Sequence, residues 1–130
     1  MLPLCREEGI GVIPLSPLAR GFLAGNRRQE DFGETVRSKT DEYAHGMYYQ
    51  PSDFAVAERV GEVARARCVP NAQVALAWIL AQPGVTAPIV GASKMRHLED
   101  AVAALSLKLD GREMQALAEP YQPHRVLGHS

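Results

Sequence analysis

What is scarce in this chain limits it before what is present is considered. No apolar run approaches the roughly 20 residues that a membrane-spanning helix needs, because Asn, Gln, Pro or a charge interrupts each one. Met1-Leu2-Pro3-Leu4 gives way at once to Arg6-Glu7-Glu8, which excludes a signal-peptide core. Neither sign of charge dominates: 14 Lys and Arg against 15 Asp and Glu leave a formal charge of −1. That balance creates no field to draw nucleic acid or an anionic membrane, and Arg27-Arg28 is too short a basic run for a nucleic-acid patch. The two cysteines, Cys5 and Cys68, lie far apart without CxxC or metal-ligand spacing, so they read as reduced, largely buried thiols. The four histidines share no metal spacing. Glycine fingerprints are missing too. There is no GxGxxG and no GxxxxGK[ST], and GASKM is not the GxSxG of a hydrolase nucleophile elbow. These absences point to a soluble, cytoplasmic protein that binds no nucleic acid, meets no membrane and holds no metal.

What remains is ordinary globular composition, 46% hydrophobic and 22% charged, at a length of 130 residues that suits one modest domain. Residues 1–8 have the pattern of a helix end stopped by Gly9 as a left-handed cap. Residues 10–15 form a short apolar run, consistent with a strand covered on both faces, although Pro14 is awkward in a central strand. Residues 26–52 have mixed charge and no period, and read as a long functional or mobile loop. Ser52 suits the cap of a helix to about Cys68, with Phe54, Val56, Val60, Val63 and Ala64 as its apolar stripe. Pro70 suits the first turn of a helix over 71–82, which Pro83-Gly84 terminates. That helix is apolar nearly all round and should be buried between layers.

Residues 86–90, TAPIV, read as a second buried strand. Ser93 then suits the cap of a helix to about Leu105, with Leu98, Val102 and Leu105 facing inward. Asp110 and Glu113 have capping-box spacing for a last helix over 111–118. Strands separated by helices predict parallel pairing and an α/β architecture. Two short strands cannot make a stable parallel sheet alone, so the elements are too few for a complete fold of this class.

Two stretches could carry chemistry. In SPLARGFLAG, residues 16–25, Pro17 fixes a turn and Ser16 offers a hydroxyl; Gly21 and Gly25 permit close backbone approach to an anion, and Arg20 adds charge. A structural turn and a phosphate loop both fit it. In IVGASKMRHLED, residues 89–100, Lys94, Arg96 and His97 crowd the start of a helix. Cations there oppose the helix dipole, so a bound anion would compensate them. An ordinary capped helix fits equally well.

Taken in order, EEGIGVIPLSPLARGFLAG, PNAQVALAWILAQPGVTAPIVGASKMRHLEDAVAAL and LAEPYQPH resemble the carboxyl-terminal portion of an aldo-keto reductase, and the resemblance spans nearly the whole chain. The wording is similar to a bacterial, broad-specificity branch. The resemblance implies the end of a (β/α)8 TIM barrel, about strands 7 and 8 with their helices. Residues 1–25 would be the helix end, strand 7 and SPLA loop, residues 26–52 a long loop, and residues 53–130 the helices, strand 8, cofactor 2′-phosphate site and tail. It implies NADP(H) bound without a Rossmann motif and a small carbonyl substrate. Ser16, Pro17, Leu18, Ala19 and Arg20 would line the pyrophosphate and nicotinamide side. Gly91, Ala92, Ser93 and Lys94 would meet the adenosine 2′-phosphate, with His97 beside it and Asp100 near the adenine. Leu15 stands where many members carry a stacking aromatic, and Asn26 where lysine is frequent. The family's catalytic Asp, Tyr, Lys and His come from the first half of the barrel, so no residue here is expected to be catalytic. Met1 reads as an internal methionine of a longer ancestor, and a missing amino-terminal half or self-association is the expected partner.

Overall fold

The computed structural model describes residues 1–25 and 50–124. Helix α1 (Leu2–Glu7) ends as its glycine demands: Gly9 takes φ 66°, and the Ile10 amide donates back to the Cys5 carbonyl at 2.7 Å, the closing bond of a Schellman cap. An extended segment follows, then a one-turn 3-10 helix, Ala19–Gly21. The loop expected over 26–52 lies almost wholly outside the described residues, and after it in the chain come α2 (Pro51–Arg67), α3 (Asn71–Leu80), α4 (Met95–Ala104) and α5 (Gly111–Ala118).

The sheet expected from residues 10–15 and 86–90 is reduced to two isolated parallel bridges, Val12 with Val85 and Leu15 with Ile89. The cause lies in two prolines. Pro14 and Pro88 have no N–H, so neither can donate to a ladder. Ile89, one residue past Pro88, donates to the Pro14 carbonyl instead at 2.8 Å. Between bridges one segment advances three residues and the other four, a slip of one residue. A side chain repairs part of the loss: Thr86 Oγ1 accepts the Val12 amide at 3.0 Å. Gly11 makes room for it, since a Cβ there would sit 3.1 Å from that hydroxyl. Among the described residues the chain is therefore mostly helical.

The core lies between α2, α3 and α5, where Val60, Val63, Ala64, Val74 and Leu117 are buried together. Burial follows the apolar stripe read for α2 and the nearly all-apolar face of α3, whose Val74, Ala75, Leu76 and Ala77 are all buried. Phe22, only 2% exposed, carries the turn onto α2 through a tilted ring contact with Phe54 at 5.2 Å between centroids.

Several boundaries differ from expectation. α2 starts at Pro51, not after Ser52: Gln50 and Asp53 form the capping box, with the Gln50 amide 2.9 Å from Asp53 Oδ2. α3 stops at Leu80 rather than residue 82. α4 starts after Lys94, and Ser93 does not cap it. Leu98, Val102 and Leu105 do not face inward; they are exposed, because α4 packs on α3 and buries only Ala104. Cys68 is exposed as well, as the left-handed end residue of α2 at φ 54°. The last helix spans 111–118, as its capping box requires, with Asp110 Oδ1 accepting from the Glu113 amide and Glu113 Oε2 from the Asp110 amide, each at 2.8 Å.

Two polar ties join distant parts. Arg67 grips Glu113 with two nitrogens and donates a third bond to the Lys108 carbonyl at 3.0 Å, locking the end of α2 to the start of α5. In the tail, His124 Nε2 lies 2.6 Å from Asp53 Oδ1.

Candidate functional site

The two bridged segments run in the same direction, so they end at the same edge. Leu15 pairs with Ile89; the next residues of one enter the 16–25 turn, and those of the other lead through residues 90–94 into α4. The structure thereby brings together the two stretches singled out from sequence. Neither Leu15 nor Ile89 is covered, and Leu15 is 75% exposed.

The first stretch is held in an uncommon backbone. Ser16, Ala19 and Arg20 take φ of 53°, 49° and 56°, and Gly21 follows at 94°. Only one other described non-glycine residue, Cys68, has positive φ. Ser16 also precedes a proline, which restricts it further. Each left-handed L-residue costs about 1 kcal/mol, and such strain gathers where a site needs it. Internal bonds hold the shape: the Ala19 amide donates to the Ser16 carbonyl at 2.9 Å, and the Gly21 and Leu23 amides both donate to the Leu18 carbonyl. Pro17 also lines an apolar cavity of about 270 Å³ with Val60, Trp78 and Leu117. Gly25 meets protein, not open space. At φ 82°, a Cβ there would lie 2.9 Å from Asn71 Nδ2.

The second stretch is open. Gly91, Ala92, Ser93, Lys94 and His97 are all exposed, and a Cβ on Gly91 would meet nothing within 4 Å. No side chain caps α4 and no acid lies in its first turn, yet Lys94, Arg96 and His97 gather there. Ser93 Oγ and His97 Nδ1 approach to 3.5 Å. Asp100 is placed differently: its carboxylate turns against α3, where Oδ1 accepts from Gln73 Nε2 at 2.9 Å, while Oδ2 lies 3.8 Å from Arg96 Nε. Sequence reasoning passed over Gln73, whose place on an apolar helix gave no sign of a polar contact 27 residues away.

The edge thus carries a strained backbone turn on one side and an uncapped cationic helix start on the other. No group of three metal-ligating side chains occurs among the described residues, and no described helix is long and apolar enough to cross a membrane.

Comparison with known proteins identifies the family. The model of the aldo/keto reductase family matches residues 1–122. The chain belongs to that family. Among relatives, a Schizosaccharomyces pombe protein classed as an aryl-alcohol dehydrogenase is 41% identical over 128 residues, 98% of this chain and 38% of the relative. An S. pombe aldo-keto reductase whose name specifies NADP(+) is 30% identical over 130 residues, again 98% of this chain and 38% of the relative. Both relatives are fungal, so these matches establish the family rather than its bacterial branch. A thermostable aldo-keto reductase solved with the inhibitor epalrestat shares the fold, with TM-score 0.60 at 23% identity over 92% of this chain and 33% of that one. This reductase-family chain thus spans 33–38% of the length of these three proteins.

Proposed function

We propose that these residues are the carboxyl-terminal, NADPH-binding portion of an aldo-keto reductase, about the last two strands of its (β/α)8 barrel with their helices. The whole enzyme would reduce small aldehydes and ketones to alcohols. The observation that carries this reading is the parallel bridge of Leu15 to Ile89, which delivers the strained turn and the cationic start of α4 to one edge. A nicotinamide dinucleotide, with its chain of charged phosphates, suits that edge. Bound there in reduced form, it supplies a hydride.

The roles of the chain's own groups follow from charge and backbone. The 16–21 turn, with Ser16, Pro17, Leu18, Ala19 and Arg20, would hold the pyrophosphate and nicotinamide side, its left-handed residues aiming backbone groups at the ligand. Residues 91–94 would admit the 2′-phosphate to the α4 start, where Lys94 and His97 supply charge and the helix dipole favours an anion. The extra phosphate is what distinguishes NADPH from NADH, and the NADP(+) in one relative's name supports that choice. We assign no proton donor within these residues. Tyr121 lines the apolar cavity, and Tyr43, Tyr48 and Tyr49 lie outside the described residues. The donor would come from the rest of a barrel, and the cover for the exposed apolar edge from that or from a second copy.

A fluorescence titration tests this. NADPH should bind at least tenfold more tightly than NADH, because a charge-assisted phosphate contact contributes about 1.5–3 kcal/mol. Equal affinities would overturn the 2′-phosphate assignment. NADPH oxidation by this chain with a reactive aldehyde should be undetectable, and clear turnover would show that the proton donor lies within it.

A further inference from the structure

We infer that Gln73 is a positioning residue for cofactor specificity, acting through Asp100 to hold Arg96 as the cation that reads the 2′-phosphate. The inference rests on the reading of the α4 start as a phosphate site and adds to it two residues and a direction of action. Three side chains from two helices stand in a line. Gln73, on α3, donates through Nε2 to Asp100 Oδ1 at 2.9 Å in a partly buried contact. The other oxygen of that carboxylate, Oδ2, faces Arg96 Nε at 3.8 Å, one turn back along α4. Exposure rises steeply along the line: the Asp100 side chain is 16% exposed and that of Arg96 77%.

Each link has a physical consequence. A carboxylate shielded on α3 and bonded to an amide cannot swing freely, so Gln73 sets the rotamer of Asp100. The fixed carboxylate attracts the guanidinium, with Nε 3.8 Å from Oδ2, and so orders the stem of the side chain. The terminal nitrogens of a guanidinium suit a phosphate, and an exposed Arg96 can offer them. An exposed arginine on its own samples many rotamers, and ordering it on binding weakens affinity; a prior hold on its stem removes part of that loss. Asp100, whose two oxygens already face Gln73 and Arg96, thereby serves the helix start rather than offering a free carboxylate to a base. Arg96, in the first turn with Lys94 and His97, becomes the cation whose direction is set in advance.

The test reads NADPH against NADH for the chain and for Arg96→Gln, Gln73→Leu and the double variant, with NADH as the control that lacks the phosphate. Arg96→Gln should weaken NADPH by roughly tenfold and leave NADH unchanged. Gln73→Leu should lower the NADPH preference severalfold, again without effect on NADH, and should add nothing in the Arg96→Gln background. Arg96 is so exposed that its variant folds as the parent does, which keeps the comparison informative if Gln73→Leu melts earlier. Equal loss of both cofactors in Gln73→Leu would make Gln73 merely structural, and additive losses in the double variant would break the proposed relay. A parent that prefers NADPH while Arg96→Gln keeps the full preference would overturn this inference alone. A parent without preference would overturn the phosphate site beneath it.

Discussion

Gly25 illustrates how a residue's type is legible in a sequence while its purpose is not. The spacing of Gly21 and Gly25 suggested close backbone approach to an anion, yet the small size of Gly25 serves Asn71, whose amide lies 2.9 Å from where a Cβ would be. Gly25→Ala should therefore destabilise by about 1 kcal/mol from its left-handed φ alone, and further from crowding. Urea unfolding of Gly25→Ala and of Gly25→Ala with Asn71→Ala separates the two effects: the double variant should recover only the crowding part. Full recovery would mean that φ contributes nothing. Asp100 repeats the lesson. Its acidity was plain in the sequence, but its partners were not, because Gln73 reaches it only once α3 and α4 are packed.

At the scale of elements, local chemistry was legible where it is self-contained. The Asp110–Glu113 capping box carries its own hydrogen bonds, so 111–118 could be read directly. Gly9 likewise announced the end of α1. Failures came where tertiary contact decides. Ser52 and Ser93 look like caps, but Gln50 with Asp53 caps α2, and α4 begins beyond Ser93 without a side-chain cap. The two apolar runs were legible, but the strands expected of them are only isolated bridges, and the one-residue slip between those bridges depends on both segments at once. Glu113 also carries a tertiary duty. The hydrogen bond from Arg67 holds it below the ordinary value of 4.5; partial burial opposes this, and the Asp110 amide and the Arg67 charge add to the lowering. A carboxylate lowered by folding stabilises fully above its unfolded value and loses that contribution as pH falls through the folded one. Glu113→Gln should therefore be less stable than the parent at neutral pH, and the two denaturation midpoints should converge as pH drops below about 4.5. A constant difference across that range would remove Glu113 from the acid response.

For the whole molecule, the core and the paired edge make opposite demands. α2, α3 and α5 enclose their apolar residues, but Ile13, Leu15 and Ile89 at the bridges, and Leu98, Val102 and Leu105 on α4, remain exposed. Apolar surface of this extent beside open strand edges favours association. Sedimentation of the 130-residue chain should reveal concentration-dependent oligomers, and a sharp monomer with a cooperative melt would contradict that expectation. The family was legible from the order of the SPLARG, ALAW and IVGAS motifs: the first and last mark the edge where two parallel segments end, and ALAW lies on the buried helix α3. What joins that edge into a site is pairing, which no single motif encodes. Hydrogen exchange with and without NADP+ tests the pairing most directly. Exchange should slow at the amides of 16–21 and 91–97 together, and protection of only one stretch, or of neither, would contradict a shared site.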